Sequence, residues 1–256
     1  MEGMIAYIES RVRDVKAAGA EGFYHLRLAA PGWEWTPGQF AMLRPASWLS
    51  DPLLPRPFSI ADQDEEYLSF FLQVVGKGTS QLSQLKPGDR MRLWGPLGRG
   101  FAVDPEVPTL LLAGGMGIAP FIGLIRNHPR PENLELIFGH RHPLEAYPFP
   151  ELSGRILAWN IRDRSEEDLA TMQRGVRVKI QGYAQDGRIL ACGPHPFLRM
   201  VRSLSREIGA WTQLSLETHM ACGHGACLGC SVPVPGGGFV QSCQSGPVFN
   251  SEEIEL

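Results

Sequence analysis

Cysteine is too scarce here for a disulfide framework: five residues in 256, an odd number, with four crowded between Cys222 and Cys243. A small secreted protein spreads its cysteines and begins with a signal peptide. At the N-terminus, Met1-Glu2-Gly3-Met4-Ile5 has no basic stretch leading into an apolar core, so no targeting segment is expected. Excess positive charge is also missing. Twenty-four Lys and Arg face 27 Asp and Glu, a formal net charge of −3, which argues against a nucleic-acid partner. The last stretch, Trp211–Leu256, contains no Lys or Arg at all; its acids Glu217, Glu252, Glu253 and Glu255 make it −4, and the remaining 24 bases and 23 acids leave the rest at +1. No internal repeat is present, and no Ser–His–Asp or paired-carboxylate spacing stands out. Long apolar runs are few. Val107–Ile125 is uncharged for 19 residues but holds four glycines and two prolines, so a buried strand, a glycine turn and a short helix fit it better than a membrane span. The expectation is a soluble, cytoplasmic protein with no membrane contact.

What is present is ordinary globular composition, 43% apolar and 20% charged, enriched in turn formers with 29 Gly and 21 Pro. The first hundred residues read as short strands: Ile5–Val15, Phe23–Ala29, Gln39–Arg44, Phe58–Ala61, Tyr67–Val75 and Arg90–Trp94. Turn signals such as Pro37-Gly38 and Pro87-Gly88-Asp89 separate them, which predicts a β-barrel with one helical turn at Thr79–Leu85. From Pro108 strands and helices alternate: strands at Thr109–Leu112, Leu134–Phe138, Arg155–Trp159 and Arg188–Ala191, helices at Ile118–Arg126, Glu166–Met172 and Pro196–Ile208. That rhythm predicts a parallel, doubly wound sheet. The expected division is 1–102, 103–210 and 211–256.

The cysteines Cys222, Cys227, Cys230 and Cys243 follow C-x4-C-x2-C-x12-C. A C-x4-C-x2-C run with one distant cysteine is the plant-type [2Fe–2S] spacing. Gly223, Gly225 and Gly229 let such a loop fold tightly and turn N–H groups toward sulfur. A zinc site is the other reading, but zinc usually takes two separated short-spaced pairs. His224 is read as a loop residue, since four cysteines complete the set.

Two motifs in the barrel region suit a flavin dinucleotide. Arg56-Pro57-Phe58-Ser59 offers a planar cation for a diphosphate and a hydroxyl for the flavin. Gly76-Lys77-Gly78-Thr79-Ser80 joins a strand to a helical turn whose N–H groups can meet phosphate; read alone it is an ordinary turn capped by Thr79 or Ser80. Together they point to FAD. Gly114-Gly115-Met116-Gly117 ends the first strand of the α/β part and suits a nicotinamide dinucleotide, although it is not the G-x-G-x-x-G fingerprint. Cys192-Gly193-Pro194 ends the fourth, with Cys192 either lining a nicotinamide pocket or filling core. Arg141 stands toward the cofactor's ribose end or is a solvated surface residue, and the choice between NAD and NADP stays open.

The order RPFS, GKGTS, AGGMGIAP and CGP resembles the ferredoxin reductase superfamily over about the first 210 residues. The loop MACGHGACLGC followed by QSCQSGPVF is similar to the electron-transfer subunits of type B dihydroorotate dehydrogenases. The resemblance implies a six-stranded antiparallel FAD-binding barrel, a doubly wound parallel NAD-binding domain and a small C-terminal [2Fe–2S] domain. It implies flavin contacts at Arg56, Pro57, Phe58, Ser59, Gln73, Val74, Val75, Gly78, Thr79 and Ser80. The implied cluster ligands are Cys222, Cys227, Cys230 and Cys243. It further implies an FMN-containing catalytic partner, a heterotetramer of two copies of each chain, and electron flow from dihydroorotate through FMN, cluster and FAD to NAD+ in pyrimidine (UMP) biosynthesis. No acid–base residue is then needed on this chain. Related subunits of bifurcating ferredoxin:NADP oxidoreductases or of sulfide and hydrogen enzymes are the alternative. Met116 replaces the Thr or Ser frequent in that glycine turn, and the proline-rich loop Pro143–Pro150 has no assigned role. The acidic C-terminal segment is expected to face the partner.

Overall fold

Alternating apolar residues close a barrel in the first hundred positions of the computed structural model, which describes residues 6–256. Met1–Ile5, where no targeting segment is expected and where the first strand is expected to start, lie outside the described residues. The strands are β1 (Ala6–Ala17), β2 (Phe23–Ala29), β3 (Phe40–Pro45), β4 (Arg56–Ser59), β5 (Asp62–Gln63), β6 (Tyr67–Gln73) and, after helix α1 (Lys77–Leu82), β7 (Arg90–Leu97). They pair antiparallel in the order β4-β3-β7-β1-β2-β6-β5. The sheet's two ends are consecutive in the chain. Ile60 N–H donates to Gln39 on one side and Ala61 N–H to Ser69 on the other, so β4 and β5 are two halves of one bent strand that closes a six-stranded barrel. Side chains two apart point inward: Leu26 and Leu28, Leu68, Phe70 and Leu72, Met91 and Leu93 are buried together. Each fully buried side chain of this kind stabilises by about 1.5–3 kcal/mol.

The second unit has strands β8 (Thr109–Gly114), β9 (Leu134–His140), β10 (Leu157–Arg162) and β11 (Arg188–Cys192). Helices α2 (Phe121–Asn127), α3 (Phe149–Ser153), α4 (Glu166–Tyr183) and α5 (His195–Ile208) connect them, and β12 (Thr212–Ser215) follows. After the hairpin β13 (Ser231–Pro233) and β14 (Phe239–Gln241) and the short helix α6 (Ser242–Ser245), β15 (Val248–Asn250) returns antiparallel at the edge. The order is β10-β9-β8-β11-β12-β15, parallel except for β15. Leu111 and Ala113 face a core with α2 and α3, while Leu110 and Leu112 face α4 and α5 on the other side. The sheet is therefore covered on both faces, which is why β8 reads as an unbroken apolar run. Strands of the C-terminal segment complete this sheet.

Two elements differ from the sequence reading. The helix expected at Ile118–Arg126 is split at Pro120 into a 3-10 turn, Gly115–Ile118, and α2. The helix expected at Glu166–Met172 runs on to Tyr183. Gly175, Gly182 and the β-branched residues between them lower its intrinsic propensity, but Met172, Val176 and Ile180 at four-residue spacing bury a stripe on the sheet, and packing wins. Ser165 caps this helix by accepting the Asp168 N–H at 3.1 Å.

Candidate functional site

The barrel and the α/β sheet share one cleft of about 270 Å³. The barrel supplies Arg56, Pro57, Phe58 and Ser59 from β4, Gln73 and Val75 from the end of β6, and Thr79 from α1; the sheet supplies Gly117, Cys192 and Gly193. Val74, Gly78, Ser80, Gly114, Gly115 and Pro194 neighbour these residues in the chain without lining the cleft themselves. The sequence reading missed Phe40, Met220 and the run Ser215–Thr218. The last of these was legible in principle. β12 lies parallel to β11, so its end falls at the carboxyl edge of the sheet, where open α/β folds bind ligands.

The cleft has a built-in cation. Arg56 donates from Nη1 to the carbonyls of Leu54 (2.9 Å) and Pro55 (3.2 Å) and lies 5.7 Å from the Trp48 ring centroid. Those carbonyls aim the guanidinium without neutralising it. At Gly78 a Cβ would stand 3.0 Å from Arg56 Nε and 3.3 Å from Trp48, so glycine keeps the start of α1 pressed against the guanidinium. Thr79 is not the cap expected for this turn. Gly76 takes that position, and Thr79 Oγ1 accepts the N–H groups of Val75 (2.9 Å) and Gly76 (3.1 Å), tying the β6–α1 turn together. The result is a fixed positive charge beside unpaired N–H groups, a fit for a diphosphate.

On the sheet side β8 and β11 are neighbours, and the chain leaves them in opposite directions. This is the topological switch point of the fold. Gly117 lies so close to the Cys192 carbonyl that any Cβ would collide with it. Cys192 faces the cleft with its thiol pushed up to about 12, chiefly by burial, with Glu217 adding to the rise and a Ser215 hydrogen bond opposing it. It is a neutral thiol at physiological pH and no nucleophile.

The cysteine loop backs onto this cleft. Phe40, Met42 and Leu97 of the barrel pack with Cys230 and Cys243, and Met220 and Trp94 lie against them. Phe40 and Met220 also line the cleft, so one layer of side chains separates the inner thiols from it. Trp94 Nε1 donates to the Cys222 carbonyl at 3.1 Å, holding the loop to the barrel. The thiols influence one another in two pairs, Cys222 with Cys227 and Cys230 with Cys243. Among the described residues no three His, Cys, Asp or Glu side chains converge on one centre. Two ligands for each of two irons fit that pairing. Burial alone would raise the Cys222 thiol, yet the N–H groups of His224 and Cys227, the Cys227 thiol and the Ala226 N–H outweigh it and bring it down to about 6. Gly225 N–H points at Cys243 Sγ at 3.1 Å, although burial and the neighbouring Cys230 push that thiol up on balance. Such donors favour thiolates. His224 turns away, its Nδ1 2.8 Å from the Cys222 carbonyl oxygen.

Two features of the sequence reading change. Glu252 pairs with Arg206 at 3.2 Å and Glu253 with Arg99, while Glu217 opens into the cleft, so two of the four C-terminal acids are ion-paired within the chain. The thiol-bearing loop sits in an uncharged run from Thr218 to Ser251, with Cys227 and Leu228 exposed. The Pro143–Pro150 loop gains a role as a clasp. Tyr147 lies 5.2 Å from Phe23 of the barrel and 4.9 Å from Phe138 of the sheet, and His142 Nε2 is 3.1 Å from Gln73 Nε2. Beside it Arg126 of α2 bridges Asp62 of the barrel (3.0 Å) and Glu151 (2.6 Å).

A closed antiparallel barrel sharing one cleft with a doubly wound sheet is the build of the ferredoxin-reductase class, and solved structures bear this out. The structure of the NADH-dependent reduced ferredoxin-NADP oxidoreductase is similar with a TM-score of 0.81 at 25% identity, over 100% of this chain and 91% of that one. A ferredoxin NADP+ reductase from Neisseria gonorrhoeae shares the fold with a TM-score of 0.64 at 18% identity, over 80% of this chain and 92% of that one. Residues 217–255 match the family described as the iron-sulfur cluster binding domain of dihydroorotate dehydrogenase B. The dihydroorotate dehydrogenase B (NAD(+)) electron transfer subunit of Clostridium acetobutylicum is 34% identical over 92% of each chain. That of Caldanaerobacter subterraneus is 32% identical over 92% of this chain and 93% of its own. The chain belongs to the family of dihydroorotate dehydrogenase B electron transfer subunits.

Proposed function

We propose that this chain carries electrons between an FMN-containing dihydroorotate dehydrogenase subunit and NAD+, as a cytoplasmic protein of pyrimidine (UMP) biosynthesis in a complex of two copies of each chain. Three units serve it: 1–102 for FAD, 103–210 for NAD(H) and 211–256 for the [2Fe–2S] cluster, the last sharing the parallel sheet through β12 and β15. The observation that carries this reading is the shared wall. Phe40 and Met220 both line the cleft and pack with the thiols Cys230 and Cys243, which supports a flavin and a cluster lying near one another.

FAD held there would supply hydride exchange with a nicotinamide and single-electron exchange with a cluster. Arg56 and the Gly76–Ser80 turn hold the diphosphate. Pro57, Phe58 and Ser59, with the strand end Gln73, Val74 and Val75, line the flavin. Gly114, Gly115 and Gly117 let the nicotinamide dinucleotide approach the backbone, with Cys192, Gly193 and Pro194 beside its ring. The neutral Cys192 thiol adds no charge next to the ring. Cys222, Cys227, Cys230 and Cys243 hold the cluster, and the exposed Cys227 side, uncharged and flanked by Leu228, meets the partner.

Co-expression with the catalytic subunit tests this. A complex that reduces NAD+ with dihydroorotate is expected, and the anaerobically purified chain should show flavin and [2Fe–2S] absorption. Chains that fail to associate, or a colourless zinc-loaded protein, would refute it. The close match to the ferredoxin-NADP oxidoreductase structure favours a second reading, a subunit of that kind of complex. Preferential NADPH turnover without response to dihydroorotate would select it.

A further inference from the structure

Resting on the [2Fe–2S] reading above, we propose that Arg99 is the positioning residue for Cys243, holding the chain just beyond that ligand against the barrel. Cys243 sits in α6, a single four-residue turn closed by the Gly246 N–H donating to the Ser242 carbonyl at 3.1 Å. So short a helix has almost no stability of its own, and its place is set by what holds its ends. At its start Ser242 N–H donates to the Cys230 carbonyl at 3.0 Å, which ties the two inner thiols together. At its end the chain passes through Pro247, which lines the cleft.

That end is gripped from two sides. From the sheet, Leu216 N–H donates to the Pro247 carbonyl at 2.9 Å. From the barrel, Arg99 N–H donates to the Gly246 carbonyl, and Arg99 Nε donates to the Val248 carbonyl at 2.8 Å. The same guanidinium pairs with Glu253 and lies 5.7 Å from the Phe249 ring centroid. Gly98 makes the approach possible: a Cβ there would collide with the Gly246 carbonyl and stand 2.7 Å from Pro247 Cδ. The Gly98 carbonyl in turn accepts Gln39 Nε2 at 2.8 Å, one residue before Phe40, which lines the cleft and packs with Cys230 and Cys243.

Among the described residues only Trp94 and Arg99 send side-chain hydrogen bonds from the barrel to the segment 211–256. They divide the thiols between them: Trp94 takes the carbonyl of Cys222, and Arg99 the turn beyond Cys243. The ion pair with Glu253 is 42% and 40% exposed, so it contributes little to stability. What Arg99 adds is direction. Outer contacts of this kind orient a metal's ligands, and losing one loosens the metal more than it loosens the fold.

The test uses the anaerobically purified holoprotein with FAD and cluster. In Arg99→Ala, iron release to bathophenanthroline should be about tenfold faster, and stopped-flow transfer from NADH-reduced flavin to the cluster about tenfold slower. The electron paramagnetic resonance spectrum of the reduced cluster should change, while flavin content stays that of the wild type. The melting temperature should fall by no more than about 4 °C. Glu253→Gln is the matched control: it loses the ion pair but keeps the bond to Val248, so melting should drop similarly with iron release and the spectrum near wild type. Wild-type iron release, spectrum and transfer in Arg99→Ala would overturn the inference. So would a Glu253→Gln protein that reproduces every loss, since the ion pair would then account for all of them. A wild-type chain that holds no cluster would overturn the functional reading itself, and this inference with it.

Discussion

Gly117→Ala separates a glycine needed for space from one needed for flexibility. A Cβ at Gly117 would collide with the Cys192 carbonyl and stand 2.7 Å from Gly193 N. The obstacle is backbone at the end of a central strand, so it cannot swing aside. Restoring an ordinary contact of about 3.5 Å requires the glycine turn to retreat by roughly 1 Å from β11. Overpacking of this kind costs about 1–3 kcal/mol, which in a chain of this size lowers the melting temperature by roughly 2–10 °C. The larger effect is on function, since a displacement of about 1 Å in a positioning element can lose on the order of a hundredfold in rate. Stopped-flow reduction of the flavin by NADH should show a loss of ten- to a hundredfold, on the order of the positioning effect. Flavin content should be unchanged, because Arg56 and the β6–α1 turn lie on the barrel. Gly115→Ala is the contrasting case. That residue has φ +54° and nothing within 4 Å of a Cβ, so its cost is backbone strain alone, about 1–2 kcal/mol. Wild-type flavin reduction and melting temperature in Gly117→Ala would refute the close-approach argument.

Two further outcomes follow from the same geometry. Arg56→Ala should weaken FAD by roughly tenfold to a hundredfold, the scale of a charged hydrogen bond, and Arg56→Lys should recover only part of that because an ammonium lacks the planar fork held by Leu54 and Pro55; titration of the apoprotein with FAD measures both. His25, half-buried and 4.9 Å from Phe71, has its pKa lowered, first by desolvation and then by Arg126. The unfolded chain therefore takes up a proton below about pH 6.5 that the folded chain refuses, so stability present above that pH is lost as pH falls. Melting curves should show this acid-side loss, and it should shrink in His25→Phe; an identical pH profile in the variant would count against the assignment.

The physical reason some features were legible is that they are local. Leu68, Phe70 and Leu72 alternate because a strand sends neighbours to opposite faces, and three cysteines bunched in one glycine-rich loop with a fourth after a gap of twelve carry their ligand spacing in the sequence itself. Barrel, parallel sheet and cluster type were therefore readable from residue order. Local propensity misled at α4, where glycines and β-branched residues hide a helix that exists because Val176 and Ile180 reach the sheet.

What the tertiary structure alone decided are juxtapositions between residues far apart in the chain. Phe40 and Met220 become one wall, Trp94 holds Cys222, and the Pro143–Pro150 loop becomes a clasp only once Phe23 and Phe138 stand on either side of Tyr147. The fate of charge belongs here too. A count of acids in the last segment suggested a negative docking face, but folding brings Arg206 to Glu252 and Arg99 to Glu253, and the exposed Cys227 lies in an uncharged run. Composition determines how many charges a segment carries. Only the packed chain determines which of them are still free, because an ion pair forms by distance in space and not in sequence.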